Sequence, residues 1–456
     1  MQLAVVNGTV VSPEGSRRGH VLVDDGTVVD VVTRDGDVPA ARTVVDATGL
    51  FVLPGLVDPD VNFREPGLEY KEGWLTGSAA AVCGGVTTVM DMPNTGRPTV
   101  DTESLDAKLA AAKGRSYCDY AIKASLVPGN VEEIPRLADA GVCGFRFSMA
   151  GTVGAIPALT SGEILDAWHV VAGTGLRCGV HPETREILEH LRRRLELAGR
   201  RDPAAAREAR PPVAEVEGIA RSLALAEATG VRLAFYHVST APSIDWVRRA
   251  KADGRVDVVA ETNPHYCVVD GEDMDRGLGT MLTMHPPVRT REHADATLAA
   301  LADGTIDVLG TDHSPHTHEE KRYADRMTDI WAATPGWPGL ETTVSLMLTA
   351  VHEGRLSLER YAYCQSEGPA RAWGLWPRKG NLKPGADADI TVVDLDRRGE
   401  FDESRLHSRH RLTPFHGRAY TGATAYTIVG GEVTARDGEL VAEAPMGRFV
   451  RPARGN

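Results

Sequence analysis

The chain of 456 residues is poor in cysteine, in aromatic residues and in clustered positive charge. Its six cysteines are scattered without a C-x-x-C pair, which fits a reducing cytoplasm and predicts no zinc–cysteine site. The net charge is −13 and no basic run is present, which argues against nucleic acid as a partner. We also expect no membrane span, because no apolar run is long enough, and no secretory signal peptide at the start of the chain.

What remains is the composition of an ordinary soluble protein, with 42% hydrophobic and 25% charged residues. The length suffices for two domains, or for one large barrel with an accessory domain. A sizeable core can therefore be buried, and the acidic balance says no more than that the surface favours solubility.

Both ends of the chain have the character of β-structure. Residues 2–53 alternate apolar segments with turns, including a hairpin centred on Asp25-Gly26, and residues 380–445 show a similar pattern. We predict that residues 1–53 and 378–456 form one composite β-sandwich domain. Two separate β-extensions are the alternative.

Residues 54–377 alternate short apolar runs with helical stretches, which predicts βα units and a parallel sheet. Helices are expected at residues 184–198 and 213–229. Eight such units indicate a (β/α)8 TIM barrel, whose active-site residues follow the carboxyl ends of the strands. The apolar runs end near Asp60, Pro93, Leu126, Met149, His181, His237, Pro264 and His313.

Polar residues stand where several of these runs end. One histidine after an apolar run is more often a core residue than part of a site. Two such histidines together with an aspartate, all at predicted strand ends, instead predict a functional site. The set comprises Asp60, Asn62, Arg64, Asn94, Arg146, His181, His237 and Asp312.

Motifs along nearly the whole chain resemble those of the cyclic amidohydrolases, the family of dihydroorotases, allantoinases and hydantoinases. Together the motifs are specific for the family but not for one substrate. They are Pro54-Gly-Leu-Val-Asp58, Phe63-Arg-Glu-Pro-Gly67, Gly84-Gly-Val-Thr-Thr88, Asp91-Met-Pro-Asn-Thr95, Arg210-Pro-Pro-Val-Ala-Glu215, Glu261-Thr-Asn-Pro-His-Tyr266, Pro286-Pro-Val-Arg289, Gly310-Thr-Asp-His-Ser-Pro-His316, Pro338-Gly-Leu-Glu-Thr342 and Leu382-Lys-Pro-Gly-Ala-Asp-Ala-Asp389.

The resemblance implies the barrel, the β-sandwich and a centre of two divalent metals. In the family the metals are held by an H-x-H pair, two later histidines, an aspartate and a carboxylated lysine, and they activate a shared hydroxide. By position, His181 and His237 match the later histidines, and Asp312 matches the aspartate that acts as general base and acid. The H-x-H pair is Asp60-Val-Asn62 here, and Arg146 stands at the lysine position.

Arginine cannot form the carbamate and keeps its positive charge, so we expect the usual two-metal centre to be absent. In the metal-free alternative, which we favour, Arg146 pairs with Asp60 or Asp312, because an unpaired buried charge is unfavourable. In the other alternative one zinc is held by His181, His237 and Asp312, with Asp60 as a fourth ligand. Lys123 is either a second cation in the site or a solvent-facing residue.

The expected substrate site is better matched to the family. The resemblance implies that Arg64 and Asn94 hold a substrate carboxylate, for which arginine offers a planar fork of donors. His285 stands where an asparagine is usual, and it either contacts the ligand or lies at the rim. His316 is expected to reach the ligand.

Three functions stay open at this point. The first is a cytoplasmic enzyme that opens or closes a small carboxylate-bearing cyclic amide or ureide, with Asp312, His181, His237, Asp60 and Arg146 as catalytic residues. The second is a catalytically inactive dihydroorotase-like chain that serves as a binding or assembly subunit. The third is a zinc-dependent dihydroorotase or allantoinase with substitute ligands. The resemblance also implies a homodimer or homotetramer.

Overall fold

The fold begins with five strands that precede the barrel. A computed structural model describes residues 1–33, 38–152 and 156–453. In the hairpin between the second and third strands, the turn residues Asp25 and Gly26 have φ of 46° and 69°, as a two-residue turn of this hand requires. The predicted hairpin is confirmed. The strands are β1 (Leu3–Ser12), β2 (Gly15–Asp24), β3 (Thr27–Thr33), β4 (Thr43–Asp46) and β5 (Phe51–Pro54).

The central feature is a sheet in which, within the described residues, eight parallel strands follow one another in chain order. A parallel bridge between Val61 and His313 joins its two edges, so the sheet closes into a barrel. The first three of these strands are buried at every position, as expected for strands covered on both faces. The strands are β6 (Leu56–Val61), β7 (Val86–Asp91), β8 (Asp119–Ser125), β9 (Gly144–Ser148), β10 (Arg177–His181), β11 (Arg232–Phe235), β12 (Val258–Thr262) and β13 (Val308–Leu309).

Helices connect the strands and cover the barrel. In α4 a capping box at Thr160 satisfies the first backbone N–H groups, and Gly175, with φ of 72°, ends the helix. No helix in the described ranges is both long and apolar enough to cross a membrane. The helices are α1 (Trp74–Gly84), α2 (Thr102–Ala112), α3 (Glu133–Ala140), α4 (Ser161–Thr174), α5 (Arg185–Leu197), α6 (Pro203–Glu208), α7 (Pro212–Thr229), α8 (Ala241–Asp253), α9 (Pro264–Val268), α10 (Arg291–Asp303), α11 (Leu340–His352), α12 (Leu358–Ala362) and α13 (Gly368–Ala372).

The predicted (β/α)8 barrel is therefore confirmed, and each strand ends within four residues of the predicted position. The largest difference is at β13, which ends at Leu309 rather than near His313. The two expected helices, at residues 184–198 and 213–229, are α5 and α7. Apolar runs locate buried strands well because burial of both strand faces leaves little room for polar residues.

The last strands return to the sheet that the first five began. They are β14 (Ile390–Glu400), β15 (Ala419–Val429), β16 (Glu432–Arg436) and β17 (Glu439–Leu440). Antiparallel pairing of β14 with β5 joins both chain ends in one sheet, which excludes two separate β-extensions. The order is β17-β16-β15-β14-β5-β1-β2-β3, with β4 beside β1. The exact domain boundaries, 53/54 and 377/378, stay predictions.

A buried ionic cluster fastens this sheet to the barrel. The Lys379 ammonium lies 2.5 Å from Asp119, 2.8 Å from Asp387 and 2.6 Å from Asp389. Asp119 begins barrel strand β8, whereas Asp389 immediately precedes β14 of the other sheet. The three carboxylates share one ammonium and hold its pKa above the usual range. Residues near the C-terminus also pair with β8, where Tyr120 N–H donates to the Arg448 carbonyl at 3.0 Å.

Candidate active site

A cavity of about 540 Å³ opens at the carboxyl ends of the barrel strands. Because parallel strands end at the same edge, side chains distant in sequence meet there. Of the ten predicted site residues, all but His316 line this cavity: Asp60, Asn62, Arg64, Asn94, Arg146, His181, His237, His285 and Asp312.

One side of the cavity floor is a network of amides and a guanidinium. The Asn62 amide nitrogen donates to the His313 carbonyl at 3.1 Å and to the Ser314 hydroxyl at 3.0 Å. Its amide oxygen accepts from Asn94 Nδ2 at 3.0 Å, and Asn94 Oδ1 in turn accepts from Arg146 Nη1 at 2.7 Å. Asn62 is therefore engaged at both of its polar atoms, and Asn94 connects it to the cation.

The expected ion pair of Arg146 with Asp60 or Asp312 is wrong. Arg146 donates to the Asn94 amide oxygen instead, and its guanidinium carbon lies 5.9 Å from the centre of the Tyr236 ring. Its Nε is buried without a hydrogen-bond partner. The positive charge of Arg146 favours the ionised form of both carboxyl groups. It therefore opposes, without cancelling, the rise in their pKa that burial causes. The prediction failed because the neutral amide of Asn94 satisfies the guanidinium first.

Arg64 is the second buried guanidinium of this side. Its Nη1 lies 3.4 Å from the Asn94 carbonyl oxygen and its Nη2 lies 3.5 Å from His316 Nε2, whereas its Nε has no partner. Burial lowers the pKa of Arg64 to about 10, which leaves it charged at neutral pH. The fork predicted to hold a carboxylate is thus present at the cavity.

His316 does not occupy the expected position. Among the described residues that line the cavity it is missing, because it lies behind Arg64. Its Nδ1 lies 3.1 Å from the ammonium nitrogen of Lys71, and its ring is fully buried. Burial lowers the pKa of His316 to about 3. An uncharged His316 therefore supports the Arg64 side chain rather than contacting the cavity.

The opposite side of the floor holds two histidines in direct contact. His181 Nδ1 and His237 Nε2 are 3.0 Å apart, and the rings meet edge to face. His181 Nε2 lies 3.1 Å from the Glu183 carboxylate, which Arg210 also contacts. Arg210 and His181 together lower the pKa of Glu183 well below its usual range, against the effect of burial. Glu183 is hence an anion that orients His181.

These contacts define the protonation of the pair. The Glu183 carboxylate lies 3.1 Å from His181 Nε2 without a well-aligned hydrogen bond, and its charge favours a proton on that nitrogen; in that tautomer His181 Nδ1 accepts from the Nε2–H of His237. His237 Nδ1, which is buried without a partner, is left as a free acceptor. Burial lowers the pKa of His181 and, more strongly, that of His237, where the neighbouring imidazole adds to the effect. Both rings are neutral at pH 7, and His237 is available to accept a proton.

Two carboxyl groups complete the floor. Burial and the neighbouring Asp60 raise the pKa of Asp312 well above its usual range, although the Ser314 hydroxyl donates to its carboxylate at 2.9 Å. Burial raises the pKa of Asp60 to about 6, partly offset by Lys123, Arg146 and Arg64. A carboxyl group with a pKa shifted toward neutrality can both accept and donate a proton at working pH.

Beneath the floor lies a layer of further buried charged groups. Lys123 is fully buried, so the alternative of a solvent-facing lysine is wrong. Its ammonium donates to the Pro59 carbonyl at 2.5 Å and lies 3.6 Å from the centre of the Trp373 ring. Glu261, with an unpartnered carboxylate oxygen, has its pKa raised by burial and by the charge of Asp60. Lys123 supports the floor from below and is absent from the cavity lining among the residues described.

Backbone conformation sets this site apart from its surroundings. Arg64, His237 and Asp312 have φ of 65°, 40° and 47°, in the left-handed region that residues with a Cβ rarely adopt. Each lies two or three residues after the end of a barrel strand, namely β6, β11 and β13. Such strained residues concentrate at functional sites, where the surrounding structure enforces them. The strain turns three side chains at strand ends toward one cavity.

The outer wall of the cavity combines apolar residues with the charged residues Arg185, Glu189 and Arg192 of α5. It is formed by α5, α6 and the segment 330–335, and its apolar residues include Leu188, Ala206, Ala209, Met284, Ile330 and Trp331. His285, partly buried, lies among these outer lining residues, and burial with the charge of Arg210 lowers its pKa well below the usual range. The structure thus places His285 at the ligand cavity without giving it a proton at neutral pH.

A group of side chains with metal-binding geometry occurs elsewhere. Within the part of the chain that the structure describes, one set of three His, Cys, Asp or Glu residues has ligand atoms within 4.8 Å of one another, namely Asp119, Asp387 and Asp389. The Lys379 ammonium already contacts all three. This cluster is far from the cavity lining and has its own cation, so it acts as a structural link.

Sequence reasoning missed several residues of the site. Glu183 and Arg210 hold His181, and Glu261 lies under Asp60. Glu183 stands two residues after His181 on the same strand end, and this spacing was a usable signal. Arg210 begins the family motif Arg210-Pro-Pro-Val-Ala-Glu215, but nothing in its local sequence indicates that it reaches Glu183.

A (β/α)8 barrel with acid–base residues and arginines at the carboxyl ends of its strands has the architecture of a TIM-barrel enzyme. Comparison with known proteins narrows this class. Residues 51–434 match the amidohydrolase family, so the chain belongs to the amidohydrolase family. The family and the enzyme class expected from the motifs are confirmed.

Individual relatives cover almost the whole chain. An L-hydantoinase of Paenarthrobacter aurescens is 37% identical over 449 residues, 98% of this chain and 97% of the relative. An allantoinase of Rubrobacter xylanophilus is 37% identical over 451 residues, 96% and 97% of the two chains. A dihydroorotase of Methanothermobacter thermautotrophicus is 36% identical over 432 residues, 94% of each chain. Three substrate specificities thus lie at nearly equal distance.

Solved structures agree with the fold. The L-hydantoinase (dihydropyrimidinase) from Arthrobacter aurescens superposes with a TM-score of 0.94 at 36% identity and covers 99% of both chains. A D-hydantoinase (dihydropyrimidinase) from Thermus sp. gives a TM-score of 0.90 at 28% identity, again over 99% of both chains. The barrel and the second sheet therefore share one architecture with these enzymes.

Proposed function

We propose that this enzyme opens or closes a small cyclic amide or ureide that carries a carboxylate, and that it does so without a two-metal centre. The observation that carries the proposal is one cavity lined both by a buried arginine without a carboxylate partner among the described residues and by carboxyl and imidazole groups of shifted pKa. Arg64 binds the substrate carboxylate as a planar donor fork. Asp312 transfers the proton between water and the ring nitrogen.

The donor set supports the absence of two metals. Asn62 has both polar atoms of its amide engaged with protein groups. Arg146 is a permanent cation that repels a metal ion and cannot supply a bridging carbamate. His181 and His237 use one nitrogen each on the other's ring. These residues do not fit a dinuclear centre, so no step of the reaction is assigned to one.

A single zinc is the second candidate arrangement. His237 Nδ1 is unpartnered, and His181 and Asp312 line the same cavity, which provides the nitrogen and carboxylate donors that zinc prefers. The contact between the two imidazoles would have to break to free a second nitrogen. We rank this arrangement below the metal-free one for that reason.

The proposal is tested with purified protein and three cyclic ureides taken from the specificities of the relatives: dihydroorotate, allantoin and unsubstituted hydantoin. We expect turnover of dihydroorotate, the ring that carries a carboxylate, in either direction. We expect little or no turnover of allantoin and hydantoin, which lack that group. The matched control is Asp312→Asn, prepared in parallel. Equal turnover of hydantoin and the carboxylate-bearing ring contradicts the role of Arg64, and no turnover of any ring contradicts the function.

The assembly expected from the family resemblance also belongs to the proposal. We infer a homodimer or homotetramer, which light scattering of the purified chain measures directly. A monomer at micromolar concentration contradicts this part and leaves the chemistry of the cavity untouched.

A further inference from the structure

Two buried arginines of the cavity each have a side-chain donor without a hydrogen-bond partner. The side chains of Arg64 and Arg146 are only 2% and 5% exposed, yet the Nε of each has no hydrogen-bond partner. Buried polar groups are nearly always satisfied, and those that are not require an explanation. Both residues line the same cavity and have no carboxylate partner among the described residues, so the cavity is the place where an anionic ligand meets them.

Asn94 holds the two guanidiniums side by side. Its carbonyl oxygen lies 3.4 Å from Arg64 Nη1, and its amide oxygen accepts from Arg146 Nη1 at 2.7 Å. These neutral acceptors fix the two side chains without cancelling their charge. Within the described ranges, neither guanidinium forms an ion pair with a carboxylate. Two positive charges are therefore presented to one ligand.

Other cations near the floor are already engaged. Lys123 is committed to the Pro59 carbonyl and to aromatic rings below the cavity. Arg210 is bound to Glu183. Arg64 and Arg146 thus differ from these cations in lining the cavity without a committed carboxylate or cation–aromatic support from below.

We propose that Arg146 is a catalytic residue that binds the oxygen of the scissile carbonyl as it becomes an oxyanion, while Arg64 binds the permanent carboxylate. The inference rests on the proposed function and deepens it. The substrate class is then a ring whose open form carries two carboxylates, one for each arginine. Preorganised donors at a developing oxyanion are among the strongest contributions to such reactions.

The ring-opening step balances as follows. Water adds to the carbonyl carbon, Asp312 accepts the proton that water loses, and the carbonyl π electrons move onto the oxygen held by Arg146. The C–N bond then breaks, its electron pair stays on nitrogen, and Asp312 returns the proton to that nitrogen. The new carboxylic acid loses its proton to solvent and remains bound to Arg146 as a carboxylate. Ring closure is the reverse and consumes one proton.

A binding experiment tests the two-arginine site without requiring turnover. Calorimetry with succinate and with butyrate compares two probes of equal carbon number that carry two carboxylates and one. We expect the wild type to bind succinate at least about tenfold more tightly, which is roughly one charge-assisted contact. Arg146→Met should abolish this preference, whereas Arg64→Met should weaken binding of both probes. A preference that survives in Arg146→Met overturns the inference, as does a wild type without one.

The matched control is Arg177→Met. Arg177 is 3% exposed and lies on the adjacent strand β10, but at its first residue, where it contacts Asp257 and backbone carbonyls. It should lower stability without changing the succinate preference. Arg146→Gln, which keeps a donor for Asn94, serves if Arg146→Met does not fold.

Kinetics separate this inference from the proposed function. With any ring that the wild type turns over, Arg146→Gln should reduce kcat by about 100-fold and change KM less, because the contact forms mainly in the transition state. An equal loss in kcat for Arg177→Met would show a general structural effect and overturn the catalytic role. If no ring is turned over but the succinate preference depends on Arg146, the proposed function fails and the anion site stands.

Discussion

The two sides of the cavity floor come from the same barrel but have opposite chemical character. The side built on β6, β7 and β9 presents amides, the permanent cations Arg64 and Arg146, and the carboxyl group of Asp60. The side built on β10, β11 and β13 presents His181, His237 and Asp312, all with shifted pKa values. We propose that the first side binds and polarises the substrate and that the second side transfers protons.

The two sides also differ in their possible metal donors. The proton-transfer side offers two imidazoles and the carboxylate of Asp312, whereas the binding side offers the carboxylate of Asp60, because Asn62 and Asn94 are engaged in a hydrogen-bond network. A metal held from one side alone would face two guanidiniums across the cavity. Variants on each side test whether the two sides of the cavity floor have these different roles.

The largest effect is expected on the proton-transfer side. Asp312→Asn removes the proton acceptor at nearly constant volume, and turnover should fall by about 10²- to 10⁴-fold. Initial rates measure the loss, and a thermal melt within a few degrees of the wild type shows that the fold is kept. Retention of more than half the activity would assign proton transfer elsewhere, with His237 as the next residue to replace.

On the binding side, Arg64→Ala should weaken substrate binding rather than abolish chemistry. Loss of a charge-assisted carboxylate contact corresponds to a rise of about 10- to 100-fold in the dissociation constant. Equilibrium binding to the Asp312→Asn background measures it without turnover. An unchanged dissociation constant would show that Arg64 does not bind the substrate. It would also contradict the proposed separation of substrate binding from proton transfer.

Converting the binding side tests whether it excludes metals. The triple change Asp60→His, Asn62→His and Arg146→Lys supplies the residue types that the family places there. We expect the metal content per chain to rise on addition of zinc, with activity below that of the wild type, because the surrounding partners that orient ligands are not restored. Elemental analysis of the triple variant and of Arg146→Lys alone is the measurement, and no gain of metal would show that other residues also exclude it.

A smaller effect concerns stability. Burial raises the pKa of Asp58, beneath the floor, to about 7. The folded state therefore holds this proton more tightly than the unfolded state, so this group's contribution to stability is present at low pH and is lost as the pH rises from about 4 to about 7. Relative to Asp58→Asn, the wild type should lose free energy of unfolding across this range. Urea titrations at three pH values measure it, and parallel pH profiles would contradict the shift.

Much of this architecture is predictable from the sequence. The apolar runs predicted the barrel strands, and all eight polar residues singled out near the ends of these runs line the cavity. Both follow from one rule, that parallel strands are buried and end at a common edge. The similar pattern at the two chain ends also predicted that they join, but not that β5 and β14 are the strands that pair.

The errors concern which side chains contact one another. Arg146 was expected to pair with a carboxylate but donates to Asn94, and His316 lies behind Arg64 instead of at the ligand. Glu183 and its contact with His181 were not anticipated. Such contacts depend on side-chain rotamers and on strained backbone at strand ends, and hydrophobic periodicity carries no information about either.

The central claim is that this barrel acts on a carboxylate-bearing ring with a fixed cation where a two-metal centre would stand. Elemental analysis of protein purified without chelator, combined with turnover before and after dialysis against chelator, tests it most directly. The account predicts well below one metal per chain and unchanged turnover. Two metals per chain, or turnover that chelator removes and zinc restores, would contradict it and return the chemistry to His181, His237 and Asp312 as ligands.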